Sequence, residues 1–332
     1  MKAAFINRYG GAEVVQVGEQ PLPEIGPYDL LVRVNAAGVN PLDFKLRSGQ
    51  LKSALDYPLP LILGSDVSGV VVKAGSKTMR FRVDDAVFAR LDKSCIGAFA
   101  QFVALREVDA APKPDNLTHI EAASMPSVGL TSWQALRDIA GLRSGQKILI
   151  HAGSGGVGSF AIQLAKHIGA TVATTASAKN APLMQRLGAD LIIDYHTQRF
   201  EDLVYDYDVV FDLVGGEVQR RSFGVLKHGG VLVSIAGVPP ANVMREWGLP
   251  FWVQWAGYAK NFTAMRLARS RNVRFEYLFM QASGAQLGAI ATLLKSGAIV
   301  PVIDKVFALD QAREALAYCE AGHATGKVVI EA

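Results

Sequence analysis

Three glycines, Gly153, Gly155 and Gly158, stand in the spacing G-x-G-x-x-G. That spacing lets backbone N–H groups close on a phosphate. The segment leading in, Lys147-Ile148-Leu149-Ile150-His151, has the pattern of a buried strand. The segment leading out repeats Phe160, Ile162, Leu164, Ala165 and Ile168 at helical intervals. In such a setting the glycines serve a tight turn, close backbone approach to a pyrophosphate, and helix-on-strand packing. The helix that starts there aims free N–H groups and the positive end of its dipole at the phosphates. Gly153, Ser154, Gly155, Gly156, Val157 and Gly158 are therefore expected to cradle a dinucleotide. The alternative is an ordinary strand–helix turn, against which the flanking pattern argues.

The choice of dinucleotide falls to the next strand. An NAD site places a carboxylate about 20 residues on, where it holds the ribose 2′-hydroxyl. Here the strand Ala170–Thr175 runs into Ala176-Ser177-Ala178-Lys179-Asn180, with no acid. A hydroxyl, a cation and an amide suit a 2′-phosphate through charge-assisted hydrogen bonds. Ser177, Lys179 and Asn180 thus point to NADP(H), the alternative being a solvated turn with Lys179 merely exposed.

The elements that must hold these groups can be read from pattern. The 332 residues exceed one ordinary core, half are hydrophobic and 19% are charged, so two globular domains are expected. Net charge is +4 without long runs of one sign, which gives nucleic-acid binding little support. The densest basic patch, Arg266, Arg269, Arg271 and Arg274, reads as a solvated helix end. Cys95 and Cys319 offer neither a disulfide framework nor metal-ligand spacing. The apolar stretch Gly248–Ala259 is too short to span a bilayer, and a soluble cytoplasmic protein is the simplest expectation.

Up to about Pro112, short strands broken by Gly, Pro and Asn predict a β-rich unit. A helical connector carries Leu130, Trp133, Leu136 and Ile139 on one face. Strands at 147–151, 170–175, 191–193, 208–213 and 230–235 then alternate with helices at 157–168, 180–187 and 217–227, which predicts a parallel sheet. An aromatic insertion follows, then a strand at 273–279. The tail reads as helix 284–296, strand 302–307, helix 310–321 and strand 327–330, whose strands are expected to complete the first unit.

Several motifs in this order resemble the medium-chain dehydrogenase/reductase family, in its zinc-independent quinone oxidoreductase branch. They are Ala37–Gly49, Leu63–Val71, Gly129–Trp133, the glycine turn with Ser159–Ala165, and Gly322–Val329. The resemblance implies an α/β fold: a Rossmann dinucleotide-binding domain inserted in a β-rich GroES-like catalytic domain. The expected boundaries are 1–122 plus 272–332 for the GroES-like domain, and 123–271 for the Rossmann domain with its aromatic insertion at 238–265.

Zinc relatives carry a cysteine ligand where this chain has Asn40 and a histidine ligand where it has Ser65. Near Pro126-Ser127 no third thiolate stands, and of the structural-zinc cysteines only Cys95 is left. Catalytic zinc needs three protein ligands, so no metal is expected. No tyrosine has a lysine four residues later, which removes another metal-free acid pair. The remaining acceptors are already electrophilic: quinones and α,β-unsaturated ketones or aldehydes.

By resemblance, Asn40 and Lys45 face the nicotinamide end as the catalytic pair, with an ordinary turn residue and a surface cation as the alternatives. Asp43 is expected to orient Lys45 or Arg47. Thr131 approaches the carboxamide or caps a helix; Tyr195 lies near the adenosine phosphate or packs in the core. Ile235, Ala236 and Gly237 line the nicotinamide slot through their backbone, and Lys327 closes over the cofactor or is a solvated strand-end charge. His151 looks like a packed residue. Trp247, Trp252 and Trp255, with the helical stripe Phe251, Trp255, Tyr258 and Phe262, read first as core packing and second as a roof over a substrate pocket.

The expected activity is NADPH-dependent hydride transfer to a quinone or to the C=C bond of an enone. An enoyl-thioester reductase and a non-catalytic NADPH- or RNA-binding protein are the competing readings. By resemblance, the 273–279 edge strand pairs with its twofold mate and a homodimer is expected, the alternative being that the aromatic insertion covers the edge within one chain.

Overall fold

A computed structural model describes residues 1–246 and 251–332. Two compact units result: Met1–Leu130 with Gln281–Ala332, and Thr131–Met280.

The first unit begins with β1 (Lys2–Ile6), β2 (Val15–Glu19), β3 (Asp29–Val39) and α1 (Pro41–Arg47). It continues with β4 (Leu61–Ile62), β5 (Asp66–Ala74), β6 (Ala86–Arg90), β7 (Phe102–Arg106), β8 (Ala110–Pro112), α2 (His119–Ala123) and the start of α3 (Pro126–Trp133). A small sheet has the order β2-β1-β4. In the larger one, β3 pairs antiparallel with β5 along its length and with β7 over Asp29–Arg33. Alternating apolar residues such as Val32, Val34, Val67, Val71 and Val87 turn inward and form its core with Phe99 and Leu105.

The chain then builds the second unit as strand–helix repeats. These are β9 (Lys147–Ile150), α4 (Gly156–Ile168), β10 (Thr171–Ala176), α5 (Ala181–Arg186), β11 (Leu191–Asp194), β12 (Tyr207–Asp212) and α6 (Gly216–Ser222). After them come β13 (Leu226–Ser234), α7 (Ala241–Glu246), α8 (Phe251–Ser270) and β14 (Arg274–Tyr277). All six strands are parallel, in the order β11-β10-β9-β12-β13-β14. Returning to the first unit, the tail adds α9 (Gly284–Lys295), β15 (Ile303–Ala308), α10 (Ala312–Glu320) and β16 (Lys327–Glu331). There β16 runs antiparallel to β3, Val328 opposite Val39.

Three differences from the sequence reading have physical causes. The helix expected over 217–227 stops at Ser222, because Phe223, Val225 and Leu226 are buried and Gly224 turns the chain into β13. The units divide at Leu130/Thr131 and Met280/Gln281, not at 122/123 and 271/272, because β14 pairs with β13 and stays with the parallel sheet. The aromatic stripe is not core: Phe251, Trp252, Trp255, Tyr258 and Phe262 are all exposed. Small residues fill the inner face instead, with Gly257, Ala264 and Ala268 buried. Trp247 lies outside the described residues.

Candidate functional site

Within the parallel sheet, β9 ends at Ile150 and the glycine turn feeds α4. Two of the glycines are required by packing alone. A Cβ on Gly153 would sit 2.1 Å from Thr174 Oγ1, and one on Gly158 would sit 2.4 Å from the Ala152 carbonyl oxygen. Gly155 is different: its nearest neighbour would be the Ala152 oxygen at 3.5 Å, an ordinary contact. The fold therefore tolerates a side chain at Gly155, and its glycine answers to something that approaches the backbone from outside. Gly155 is also the N-cap of α4 and supplies no side-chain cap. The first-turn N–H groups are left for an external acceptor, as an anion site requires. These residues fit a dinucleotide pyrophosphate.

The loops after neighbouring strands of an all-parallel sheet share one edge, the one where ligands lie in such folds. Ser177 follows β10, Lys179 is exposed beside it, and Asn180 precedes α5. Tyr195 follows β11, is 59% exposed and stacks on the His196 ring at 4.2 Å, so it is not a packed core tyrosine. Ile235, Ala236 and Gly237 follow β13, Gly237 with φ +83°. Asp212, at the end of β12, is buried and takes the Val214 and Gly215 N–H groups on one oxygen and Gln219 and Ser234 on the other. Sequence reasoning overlooked this anchor of the loop. Thr131 is buried within α3 rather than at its start, so it is not a helix cap. The adjacent Ser132 donates to the Val157 carbonyl at 3.3 Å, tying α3 to the glycine turn.

His151 is a packed residue, as expected. Its ring nitrogens meet Ser222 Oγ at 2.8 Å and Thr175 Oγ1 at 3.2 Å. Burial pushes its pKa down to about 4 and keeps the imidazole neutral.

The first unit holds a second concentration of polar groups. Asn40 is the N-cap of α1, followed by Pro41 in the first turn. Its backbone N–H donates to Asp43 Oδ2 at 2.7 Å. Asp43 thus caps the helix instead of orienting Lys45 or Arg47; Arg47 pairs with Glu320. Burial raises the Asp43 carboxyl to about 7 despite Arg90 and Lys327 nearby.

The side chain of Asn40 is pinned at both ends. Lys327 Nζ donates to its Oδ1 at 2.6 Å, while its Nδ2 donates to Asp66 Oδ2 at 2.9 Å. Lys327 also donates to the Val39 carbonyl at 2.7 Å and lies 3.8 Å from Asp66 Oδ2. It is 5% exposed, so the solvated strand-end alternative does not hold. Asp66, fully buried, further accepts from Ser127 Oγ at 2.7 Å and faces Arg90 at 3.9 Å. Lys45 differs from these neighbours: it stands exposed on α1. The role of Asp66 was missed, although a carboxylate inside the apolar run Leu61–Val72 needs an internal partner, and that was a legible signal. Among the described residues no group of three or more His, Cys, Asp or Glu could hold a metal ion.

Known proteins resemble this chain over nearly its whole length. A family model described as alcohol dehydrogenase GroES-like domain matches residues 26–115, and one described as zinc-binding dehydrogenase matches 187–330. The 2-methylene-furan-3-one reductase of Solanum lycopersicum is 38% identical over 344 residues, covering 99% of this chain and 79% of that protein. The chloroplastic NADPH-dependent alkenal/one oxidoreductase of Arabidopsis thaliana is 36% identical, again over 99% of this chain and 79% of its own. Among solved structures, the quinone oxidoreductase from Coxiella burnetii superposes with a TM-score of 0.88 at 32% identity, covering 100% of this chain and 99% of its own.

Proposed function

This chain belongs to the zinc-independent branch of the medium-chain dehydrogenase/reductase family, and from that membership we propose how its residues carry out NADPH-dependent reduction. It is an oxidoreductase that uses NADP(H) to reduce quinones or the C=C bond of α,β-unsaturated ketones and aldehydes. When bound, the dinucleotide supplies the hydride, and the protein supplies binding, orientation and electrostatics.

The observation that most supports the cofactor site is the contrast at the turn: Gly155 is free of packing demands where Gly153 and Gly158 are not. Ser154, Gly156 and Val157 complete the cradle with their backbones. Ser177, Lys179 and Asn180 pair the 2′-phosphate, and Tyr195 flanks the adenosine end. Thr131 and the backbone of Ile235, Ala236 and Gly237 orient the carboxamide. Charge gathers on the acceptor oxygen as the hydride arrives, and an exposed cation is suited to meet it. Lys45 takes that role. Asn40 contributes through an amide that Lys327 and Asp66 fix in one orientation. Lys327 acts by holding Asn40, since its donors are directed at Val39 and Asn40.

Neither Asn40 nor Ser65 is a zinc-type ligand, although one matching family model is described as zinc-binding. Metal-independent turnover therefore belongs to the reading. Stoichiometric zinc in the purified protein, or activity abolished by a chelator, counts against it. We also propose a homodimer through the free edge of β14, a cytoplasmic location and no nucleic-acid partner. Sedimentation at twice the chain mass and cell fractionation check the first two. The activity is tested by NADPH oxidation against a panel of short-chain quinones, enones and enoyl thioesters. Turnover of thioesters alone, or of none, defeats the assignment.

A further inference from the structure

The exposed helix α8 is inverted relative to an ordinary surface helix, with its bulky apolar side chains outward and its small residues inward. Phe251, Trp255, Tyr258 and Phe262 share one stripe that continues, at the same helical spacing, into Arg266 and Arg269. Phe251 is 74% exposed and Trp255 67%, and Trp252 stands beside them at 64%. Trp255, Tyr258 and Phe262 brace one another edge to face at 6.1 and 6.0 Å. The inward face is fixed. Asn261 donates to the carbonyls of Val238 and Gly257 at 3.0 and 2.9 Å, and a Cβ on Gly257 would strike Met244 Sδ at 2.5 Å. The helix cannot roll to hide its aromatics without breaking these contacts.

Charge selects what covers this face. From Phe251 to Phe275 the sequence contains Lys260, Arg266, Arg269, Arg271 and Arg274 and no Asp or Glu, five positive charges against +4 for the whole chain. Arg274 is engaged with the Ile139 carbonyl and Glu276. Arg266, Arg269 and Arg271 are exposed and, among the described residues, have no ion-pair partner. A second copy of this segment would bring the same cations and no carboxylate to meet them.

We propose that α8 is a docking surface for an anionic phospholipid bilayer, its aromatic half seated in the interface and its arginines on the lipid phosphates. Exposed Trp, Tyr and Phe beside Arg, without acids, is the composition that lies in a membrane interface. Among the described residues no helix is long and apolar enough to cross a membrane, which sets no bar to one lying on it. As a crossover between parallel β13 and β14, α8 places its aromatic first turns at the carboxyl end of the strands, beside the nucleotide loops. The surface does not depend on the reduction chemistry, and the flotation that tests it uses neither NADPH nor acceptor.

The test is flotation of the full-length protein with vesicles of phosphatidylcholine alone and of phosphatidylcholine with phosphatidylglycerol. Each basic residue near an anionic surface contributes about a fivefold gain in partitioning. Binding to the anionic vesicles should exceed that to the neutral ones by at least about tenfold and weaken with salt. The double variant Arg266→Glu/Arg269→Glu should lose at least about tenfold while its melting temperature and soluble-quinone turnover hold. Trp252→Gln/Trp255→Gln should abolish quenching of tryptophan fluorescence by brominated lipid. The proposal is overturned by equal binding to both vesicles, by charge-reversed protein that floats as before, or by Trp255→Gln halving the particle mass with flotation unchanged.

Discussion

Ligand-type groups collect in two places, and they differ in where their hydrogen bonds go. At the glycine turn Gly153 and Gly155 spend their N–H groups on the Thr175 and Ala152 carbonyls, but α4 begins without a side-chain cap for its first-turn donors, and Lys179 stands in solvent. Around Asn40 the groups that hold it are spent internally, Lys327 on Asn40 and Val39, Asp66 on Ser127 and Asn40. The first arrangement is ready for a partner from outside. The second is a frame that holds one residue in one pose, with Lys45 as its exposed neighbour. Clusters of polar residues therefore divide by hydrogen-bond satisfaction, a property that residue type alone does not reveal.

The contrast breaks most visibly at Lys327. Replacing it with Met leaves Asp66 buried without its lysine and Asn40 Oδ1 without its donor. Loss of one partner from a buried ion pair costs about 3–5 kcal/mol. Urea unfolding should register that loss in Lys327→Met, with partial recovery in Lys327→Arg; an unchanged midpoint would show the frame to be dispensable. Lys45→Ala should do the reverse, leaving stability alone and lowering kcat about 100-fold, as loss of one oxyanion donor does. Unaltered turnover would remove Lys45 from the chemistry. At the ready site, Lys179→Ala should weaken NADPH about 10- to 100-fold, the size of a lost charge-assisted hydrogen bond, and leave NADH alone. Equal affinity of the parent protein for both cofactors would contradict the 2′-phosphate assignment.

The smallest effect is in pH, where the two units should respond in opposite directions. The folded pKa of His151 lies near 4, below its ordinary 6.5, so acid favours unfolding. Its contribution is complete above pH 6.5 and is lost as pH falls toward 4. The Asp43 carboxyl, raised to about 7 from 3.8, behaves oppositely: its contribution is complete below 3.8 and is lost as pH rises through 7. Between about pH 6.5 and 5.5 each changes stability by roughly 1 kcal/mol, with opposite sign. Hydrogen exchange should show protection around β9 and α6 falling while protection around α1 holds or rises. Parallel loss in both units would refute the assignment of these two groups.

Much of this was legible in the chain. Alternation of strand and helix patterns from Lys147 onward determined the parallel sheet, because each short apolar run and each amphipathic run has only one good way to bury its face. The glycine spacing and the missing acid after β10 were local features, readable because a turn involves consecutive residues. The aromatic stripe of α8 was legible as a stripe and misleading as core: periodicity says which residues share a face, not whether that face turns inward.

What the sequence by itself determined is the order of elements, the glycine spacing after β9 and the absence of zinc-type side chains at Asn40 and Ser65. Tertiary structure alone decided the rest. It brought Lys327 from the last strand to Asn40, 287 residues away, and Asp66 to Ser127, 61 residues away. It also left α8 with its tryptophans outward, because Gly257, Asn261 and Ala264 pack where bulk could not. Contacts between distant segments depend on how sheets pair and how closely helices approach, and neither is written in any local run of residues.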